Sequence, residues 1–133
     1  MTKEEIYTGN VLIAEFIGME DVESGWQDKN NVLNIPPLHR PRTNTFVMLK
    51  FHSSWDWLMP VVEKINNSCF LGLTTVTMFN NGTQIVVYDL KWDKEPFNCY
   101  PKINTQEAIK LSVTFNAVIR YIEWYNYNKN KED

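Results

Sequence analysis

The C-terminal third of the chain carries a long apolar stripe at helical spacing. Large apolar residues recur there at alternating intervals of three and four positions: Ala108, Leu111, Phe115, Val118, Ile122 and Tyr125. This period is that of an α-helix and not of a strand. A capping-box-like sequence at Asn104–Glu107 precedes the stripe. The pattern predicts a helix from Ala108 to Asn126 with Thr114 on its flank, followed by a frayed tail at about 127–133.

A second amphipathic helix is predicted in the middle of the chain. Ser53 and Ser54 suit its N-cap, and Asp56 lies in its first turn, where a carboxylate favours the helix dipole. Its predicted apolar side is formed by Trp55, Leu58, Met59, Val62 and Ile65. Pro60 should kink this helix or tighten its opening turn. Trp57 points to a different side from Trp55, so one ring should be buried and the other exposed or covered by a loop.

A β-hairpin is predicted around Asn81-Gly82, the pair preferred in two-residue hairpin turns. The flanking segments, Leu71–Asn80 and Thr83–Trp92, are rich in β-branched and aromatic residues. The predicted register places Val76 opposite Val87, and it puts Leu73, Thr75 and Thr77 together on the other face of the hairpin. Because apolar residues occur on both faces of this hairpin, we expect cover on both sides.

The N-terminal part gives weaker signals. Asn10–Ile17 predicts a short helix that stops at Gly18, and Phe46–Phe51 predicts a strand. Between them, residues 19–45 are acidic, then polar, then rich in proline, and proline lacks the amide donor of a helix or central strand. We predict a long loop there, of a length that is often functional.

These elements predict one α+β domain over residues 1–133. Its core is a small, mainly antiparallel sheet of about three strands. A kinked middle helix, a long C-terminal helix and a short N-terminal helix pack the sheet.

Composition narrows the function classes. The net charge of −3 argues against a protein that coats nucleic acid. No run approaches the roughly 20 apolar residues of a membrane span, and the charged N-terminus is unlike a signal peptide. We therefore expect a cytoplasmic protein with Cys69 and Cys99 as free, buried thiols. The two histidines, His39 and His52, have no second ligand nearby in sequence, so we expect no metal and no cofactor.

Three segments resemble small uncharacterised proteins encoded by phages and mobile elements of Bacteroidetes. The segments are the 12–18 sequence LIAEFIG, the 54–65 sequence SWDWLMPVVEKI and the 117–126 sequence AVIRYIEWYN. The arrangement is also loosely similar to the phage α/β/α-sandwich domain. The resemblance implies a fold and a phage origin, with a bacterial host cell as the location. It implies no catalytic residues.

Two local constellations are candidate sites. His52, Ser53, Ser54 and Asp56 contain the residue types of a catalytic triad, but helix capping explains the serines and the aspartate. The second is the Pro-rich loop, which holds Arg40 and Arg42 beside His39.

Arginine forks bind phosphate or carboxylate groups. We predict that Arg40, Arg42 and His39, backed by Trp26 or Trp57, contact an acidic partner. The alternative is that the arginines pair with the acidic 20–23 stretch and only fix the loop.

The sequence therefore favours a non-enzymatic phage accessory protein that acts by binding. Its partner would be a host protein, such as an anti-phage defence protein, or a small anionic ligand. An enzyme acting on a nucleotide-like substrate and a virion or assembly component are alternatives, and a homo-oligomeric state is left open.

Overall fold

The structure is a computed structural model. Within the residues that it describes, the chain forms three helices and two three-stranded antiparallel sheets. The described residues are 2–22, 25–28, 32–33, 38–39, 49–89, 94–103 and 110–131. The predicted α+β class is confirmed. Contacts divide the chain into two compact units, Met1–Val61 and Val62–Asp133, each with its own sheet. The single domain expected over 1–133 stays a prediction.

The first helix, α1 (Lys3–Phe16), begins seven residues before the predicted start at Asn10. A capping box explains the earlier start. The Thr2 hydroxyl accepts a hydrogen bond from the Glu5 amide at 3.1 Å, and the Glu5 carboxylate accepts one from the Thr2 amide at 3.3 Å. This polar first turn lacks the apolar period on which the prediction relied.

The predicted stop of α1 at Gly18 is confirmed. Gly18 has φ +88°, a left-handed conformation that glycine adopts at little cost. Its amide donates to the Glu15 carbonyl at 3.1 Å, and the Met19 amide donates to the Ala14 carbonyl at 2.9 Å. These two bonds satisfy carbonyls at the helix end, in the pattern of a Schellman motif.

The segment predicted as a long loop contains the first sheet, so that prediction is wrong for the described residues. Strands β1 (Glu20–Val22), β2 (Gly25–Gln27) and β3 (Leu38–His39) pair antiparallel in that order. Trp26 lies on the central strand, opposite Asp21 and Leu38. Strands of two or three residues are too short to show a period in sequence, which is why they were missed.

The predicted strand Phe46–Phe51 is also wrong where it can be checked. Its first three residues lie outside the described ranges, and Phe51 lies in a turn. The Lys50 carbonyl accepts hydrogen bonds from the amides of Ser53 and Ser54 at 3.1 and 2.9 Å. This turn leads directly into the next helix.

Helix α2 (Trp55–Ile65) runs through Pro60, which occupies its sixth position. The Ser54 carbonyl accepts hydrogen bonds from the Trp57 and Leu58 amides, at 3.2 and 3.1 Å. Its buried residues are Trp57, Leu58, Val61, Val62 and Ile65. The predicted apolar side was therefore rotated: Trp57 is the buried tryptophan, whereas Trp55 is only partly buried.

The second sheet has the order β4-β5-β6, formed by Leu73–Phe79, Gly82–Asp89 and Lys94–Cys99. The hairpin β4–β5 was predicted, but its loop is Asn80-Asn81, so Val76 pairs with Ile85 instead of Val87. This two-residue slip keeps every side chain on its predicted face, because strand side chains alternate with period 2. Strand β6 was not predicted. Its Lys-Glu-Pro start resembles a polar connection.

Gly82 has a different role from the predicted one. It does not have positive φ; among the described glycines, only Gly18 and Gly72 do. A Cβ atom at Gly82 would overlap the Pro101 carbonyl oxygen and lie 2.8 Å from the Tyr100 ring. Glycine is needed there for close approach of a neighbouring backbone, not for a turn conformation.

Helix α3 (Lys110–Lys131) packs on β5 and β6. The central residues of the predicted stripe are buried: Leu111, Phe115, Val118 and Ile122. The helix continues five residues beyond the predicted end at Asn126. Thr114, predicted on the flank, is fully buried, and its hydroxyl has hydrogen-bond partners inside the unit.

Candidate interaction surface

The face of the second sheet that points away from α3 lies open to solvent along β4. Alternate β4 residues are exposed (Leu73, Thr75, Thr77 and Phe79), whereas Thr74 between them is fully buried. Leu73 is 44% exposed and Phe79 is 40% exposed. The expectation that both faces of the hairpin are covered is therefore wrong. We name this side the outer face.

The outer face continues across β5 and β6. Val86 and Tyr88 lie on it as partly buried residues, and Val86 pairs with the exposed Asn98. A row of polar groups crosses the two strands. The Gln84 amide nitrogen donates to Asn98 Oδ1 at 3.1 Å, and Asn98 Nδ2 donates to Glu95 Oε2 at 3.2 Å. The face therefore combines apolar side chains with amides that can donate or accept hydrogen bonds.

An aromatic corner lies at the hairpin end of the outer face. The rings of Phe79 and Tyr100 have centroids 5.3 Å apart with an interplanar angle of 32°. The Tyr100 hydroxyl donates to Asn81 Oδ1 at 2.7 Å, and Lys102 Nζ lies 4.8 Å from the Tyr100 ring centroid. Gly82 leaves room for this ring. These contacts orient the Tyr100 ring on the outer face, beside Phe79.

In the first unit, a buried amide joins α1 to the turn before α2. Asn10 Oδ1 accepts a hydrogen bond from the Phe51 amide at 2.9 Å. Its Nδ2 group lies 2.9 Å from the Ile6 carbonyl and 2.9 Å from His52 Nδ1. Because the Phe51 amide can only donate, the Asn10 oxygen must face it, and both Nδ2 hydrogens are then donated.

This network fixes the form of His52. Nδ1 of His52 must accept the Asn10 hydrogen, so the ring is neutral with its proton on Nε2. Burial lowers the pKa of His52, which also favours the neutral ring. The nitrogen that an aspartate would contact in a catalytic triad is thus bound to an amide. The geometry makes His52 a structural anchor of the 50–54 turn.

The predicted binding residues fall in different environments. Trp26 and Trp57 are 2% and 8% exposed, so neither offers a ring face to a ligand. Trp57 instead packs against Phe51 in a T-shaped arrangement, with ring centroids 5.2 Å apart. The sheet places the backbone of His39 opposite Gly25, next to Trp26.

Arg40, Arg42 and the side chain of His39 lie outside the described residues. The arginine contact surface therefore stays a prediction.

Both cysteines are free, as predicted, but only Cys99 is buried; Cys69 is exposed. Burial raises the pKa of the Cys99 thiol, against smaller opposite effects of a hydrogen bond with the Ile85 backbone and the charge of Arg120. Among the described residues, no group of three or more His, Cys, Asp or Glu side chains is placed to hold a metal ion.

Only part of the outer face could be predicted from the sequence. The alternation of the hairpin grouped Leu73, Thr75 and Thr77 correctly on one side. Phe79 and Tyr100 were missed, since Phe79 lies next to the misplaced turn and Tyr100 follows the unpredicted β6. The polar row of Gln84, Asn98 and Glu95 likewise depends on that third strand.

Comparison of the chain with protein-family models, with curated proteins and with solved structures finds no match. Within the described ranges, no helix has the length and apolar character needed to cross a membrane.

Proposed function

We propose that this protein acts by binding another protein through the outer face of its second sheet. The observation that carries the proposal is the exposure of Leu73 and Phe79 on a sheet whose opposite face is packed by α3. Exposed apolar residues grouped on one surface, next to polar groups, are typical of interaction sites.

The chemistry of the outer face favours a protein over a small anionic ligand. Small ligands are usually bound in concave pockets with a few convergent polar groups. The outer face instead spreads apolar, hydroxyl and amide groups over three adjacent strands. Its described charges include both signs, with Lys102 beside the aromatic corner and Glu95 in the polar row.

The identity of the partner rests on the sequence resemblance. Similarity of three segments to small phage and mobile-element proteins supports a host protein as the partner, with a defence protein as the narrower hypothesis. Inhibition of that protein would need binding alone.

The test is capture of a partner by the tagged full-length chain from a bacterial lysate, followed by titration with the identified, purified protein. Leu73→Ser combined with Phe79→Ser should weaken binding at least tenfold, because it removes the two most exposed apolar groups of the outer face. Tyr127→Ser is the matched control. Tyr127 is 62% exposed but lies on α3.

Equal binding by wild type, double variant and control would contradict the proposal. The same titration with Arg40→Gln and Arg42→Gln decides between the outer face and the arginine loop. If the loop carries binding, this variant loses affinity and its salt dependence flattens, whereas the outer-face proposal expects wild-type affinity.

A further inference from the structure

The edge of β4 that faces away from β5 is only partly covered. In its closed part, the backbone groups have hydrogen-bond partners, and in its open part they have none among the described residues. The closed part is covered by the turn that follows α2. The Thr74 amide donates to the Ser68 carbonyl, the Asn67 amide donates to the Thr74 carbonyl, both at 2.8 Å, and the Val76 amide donates to Asn66 Oδ1 at 3.0 Å. These bonds show which β4 residues direct their backbone groups away from β5.

Backbone direction alternates along an antiparallel ladder, and β4 and β5 pair without a register shift. After Thr74 and Val76, the next outward-directed residue is therefore Met78. In the described part of the chain, the Val76 carbonyl and the Met78 amide and carbonyl have no hydrogen-bond partner. The open edge runs from Val76 to the hairpin loop at Asn80.

The two edge strands of this sheet differ in protection. Natural sheets guard their edges with charged residues and proline. The β6 edge has Lys94, Glu95 and Pro96, all exposed. The β4 sequence Leu-Thr-Thr-Val-Thr-Met-Phe has neither a charge nor a proline, and it is rich in residues that favour strands.

We propose that β4 pairs antiparallel with β4 of a second copy of this chain, with Met78 on the two-fold axis. The Met78 amide and carbonyl then bond to the carbonyl and amide of Met78 in the second copy. Val76 lies opposite Asn80 of the second copy, so its carbonyl accepts the Asn80 amide. The two sheets join into one sheet of six strands.

The length of the open edge supports a second copy as the occupant. Continuing the pairing past Val76 would require a residue opposite Thr74, where the edge is already covered. The second copy turns back at its Asn80-Asn81 loop before it reaches Thr74, so none of its backbone groups needs a hydrogen-bond partner there. An arbitrary extended peptide would not stop at this position.

The side chains fit the same arrangement. Thr77 and Phe79 lie on the outer face, and the pairing places Phe79 of each copy opposite Thr77 of the other. An aromatic residue opposite a β-branched one is a favourable cross-strand pair. On the other face, the partly buried Met78 meets its own copy.

The closed two-fold contact uses the same surface on both chains, so it ends at a dimer. It rests on the backbone groups of Val76 and Met78 left unpaired within the described ranges, and not on the proposed function, although Thr77 and Phe79 of the outer face are also part of the pairing.

Sedimentation of the full chain over a concentration series tests the dimer. We expect a reversible shift from 15.7 kDa toward twice that mass. Met78→Pro removes the outward amide without touching the bonds to β5, and edge strands accept proline. This variant should stay monomeric with the wild-type circular dichroism spectrum. A monomeric wild type, or a dimer that persists in Met78→Pro, overturns the proposal.

Cysteine cross-linking tests the register even if Met78→Pro does not fold. Directly opposed residues of a hydrogen-bonded pair have Cα atoms about 5.5 Å apart, within the range of about 4.4–6.8 Å for disulfides. In a Cys69→Ser background, which removes the exposed native thiol, Met78→Cys should form a covalent dimer with oxidised glutathione.

Thr75→Cys, on the same strand, is the matched control and should not cross-link, because the two copies of Thr75 lie far apart in this register. Equal cross-linking at both positions, no cross-linking at Met78→Cys, or formation of larger assemblies instead of a dimer overturns the proposed pairing.

Discussion

The inner and outer faces of β4 differ although they come from the same seven residues. Thr74 is fully buried and its neighbour Thr75 is exposed. Leu73, a larger apolar residue than either, is 44% exposed. Hydrophobicity therefore does not decide which face of this strand forms the core. The packing of α3 on the adjacent strands does, and it leaves Leu73 available for binding.

Two buried threonines of this unit, Thr83 and Thr114, form a hydrogen-bonded pair, whereas the buried Thr74 hydroxyl has no hydrogen-bond partner among the described residues. Thr114 donates its hydroxyl hydrogen to the Lys110 carbonyl at 2.7 Å, because a carbonyl can only accept. The Thr83 hydroxyl must then donate to the Thr114 oxygen, also at 2.7 Å. This chain of two hydroxyls satisfies both groups away from water. On the outer face, polar groups reach solvent.

The largest expected difference is between side chains in the core of this unit and on the outer face. Phe115→Ala should lower the free energy of unfolding by about 3–5 kcal/mol, since it removes a fully buried ring of α3. Leu73→Ala should cost less than about 1 kcal/mol. Urea denaturation midpoints measure both. Equal shifts would mean that the assignment of the two faces is wrong.

The next largest effect concerns the close approach at Gly82. Gly82→Val should destabilise the protein by about 1–3 kcal/mol or more, because its Cβ meets the backbone of Pro101, which cannot rotate away. Asn80→Ala, in the exposed hairpin loop, is the control and should change the melting temperature little. An unchanged melting temperature for Gly82→Val would show that the segment after β6 does not hold this position.

The hydrogen bond between the Thr83 and Thr114 hydroxyls predicts different stability costs for the same threonine-to-valine substitution at the two positions. Thr114→Val leaves the buried Thr83 hydroxyl without an acceptor and should cost about 1–3 kcal/mol. Thr83→Val should cost less, because Thr114 keeps its bond to Lys110.

The double variant should be less destabilised than the sum of the two single variants. Chemical denaturation of all three variants measures this coupling, and strictly additive costs would exclude it.

The smallest effect is a pH dependence from the first unit, whose buried polar network contains a titratable ring. Burial lowers the pKa of His52 below its ordinary value of 6.5, so the unfolded chain binds more protons there. The contribution of His52 to stability is complete above pH 6.5 and is lost as the pH falls through its folded-state pKa.

His52→Asn tests this dependence because it keeps an acceptor for Asn10 but does not titrate. Over this pH range, wild type should lose more stability than His52→Asn in denaturant titrations. If wild type and His52→Asn lose the same stability over this range, His52 is not the cause of the pH dependence.

Sequence patterns predicted the elements whose signals are local. The stripe of α3, the Gly18 helix end and the β4–β5 hairpin follow from period, capping and turn residues within short windows. The first sheet was missed because its strands have only two or three residues each. The predicted binding residues gave the least information about the candidate site. Trp26 and Trp57 are buried, and Arg40 and Arg42 lie outside the described residues.

The sequence alone determined which side chains of β4 lie together, because alternation along a strand is local and survives even a two-residue slip of register. Only the tertiary structure decided which of those groups became core, since that depends on α3 and on a third strand with no clear signal. It also decided the burial of Thr114 and the need for glycine at position 82. Both depend on atoms far away in sequence, on Thr83 and on the backbone of Pro101, which no local pattern contains.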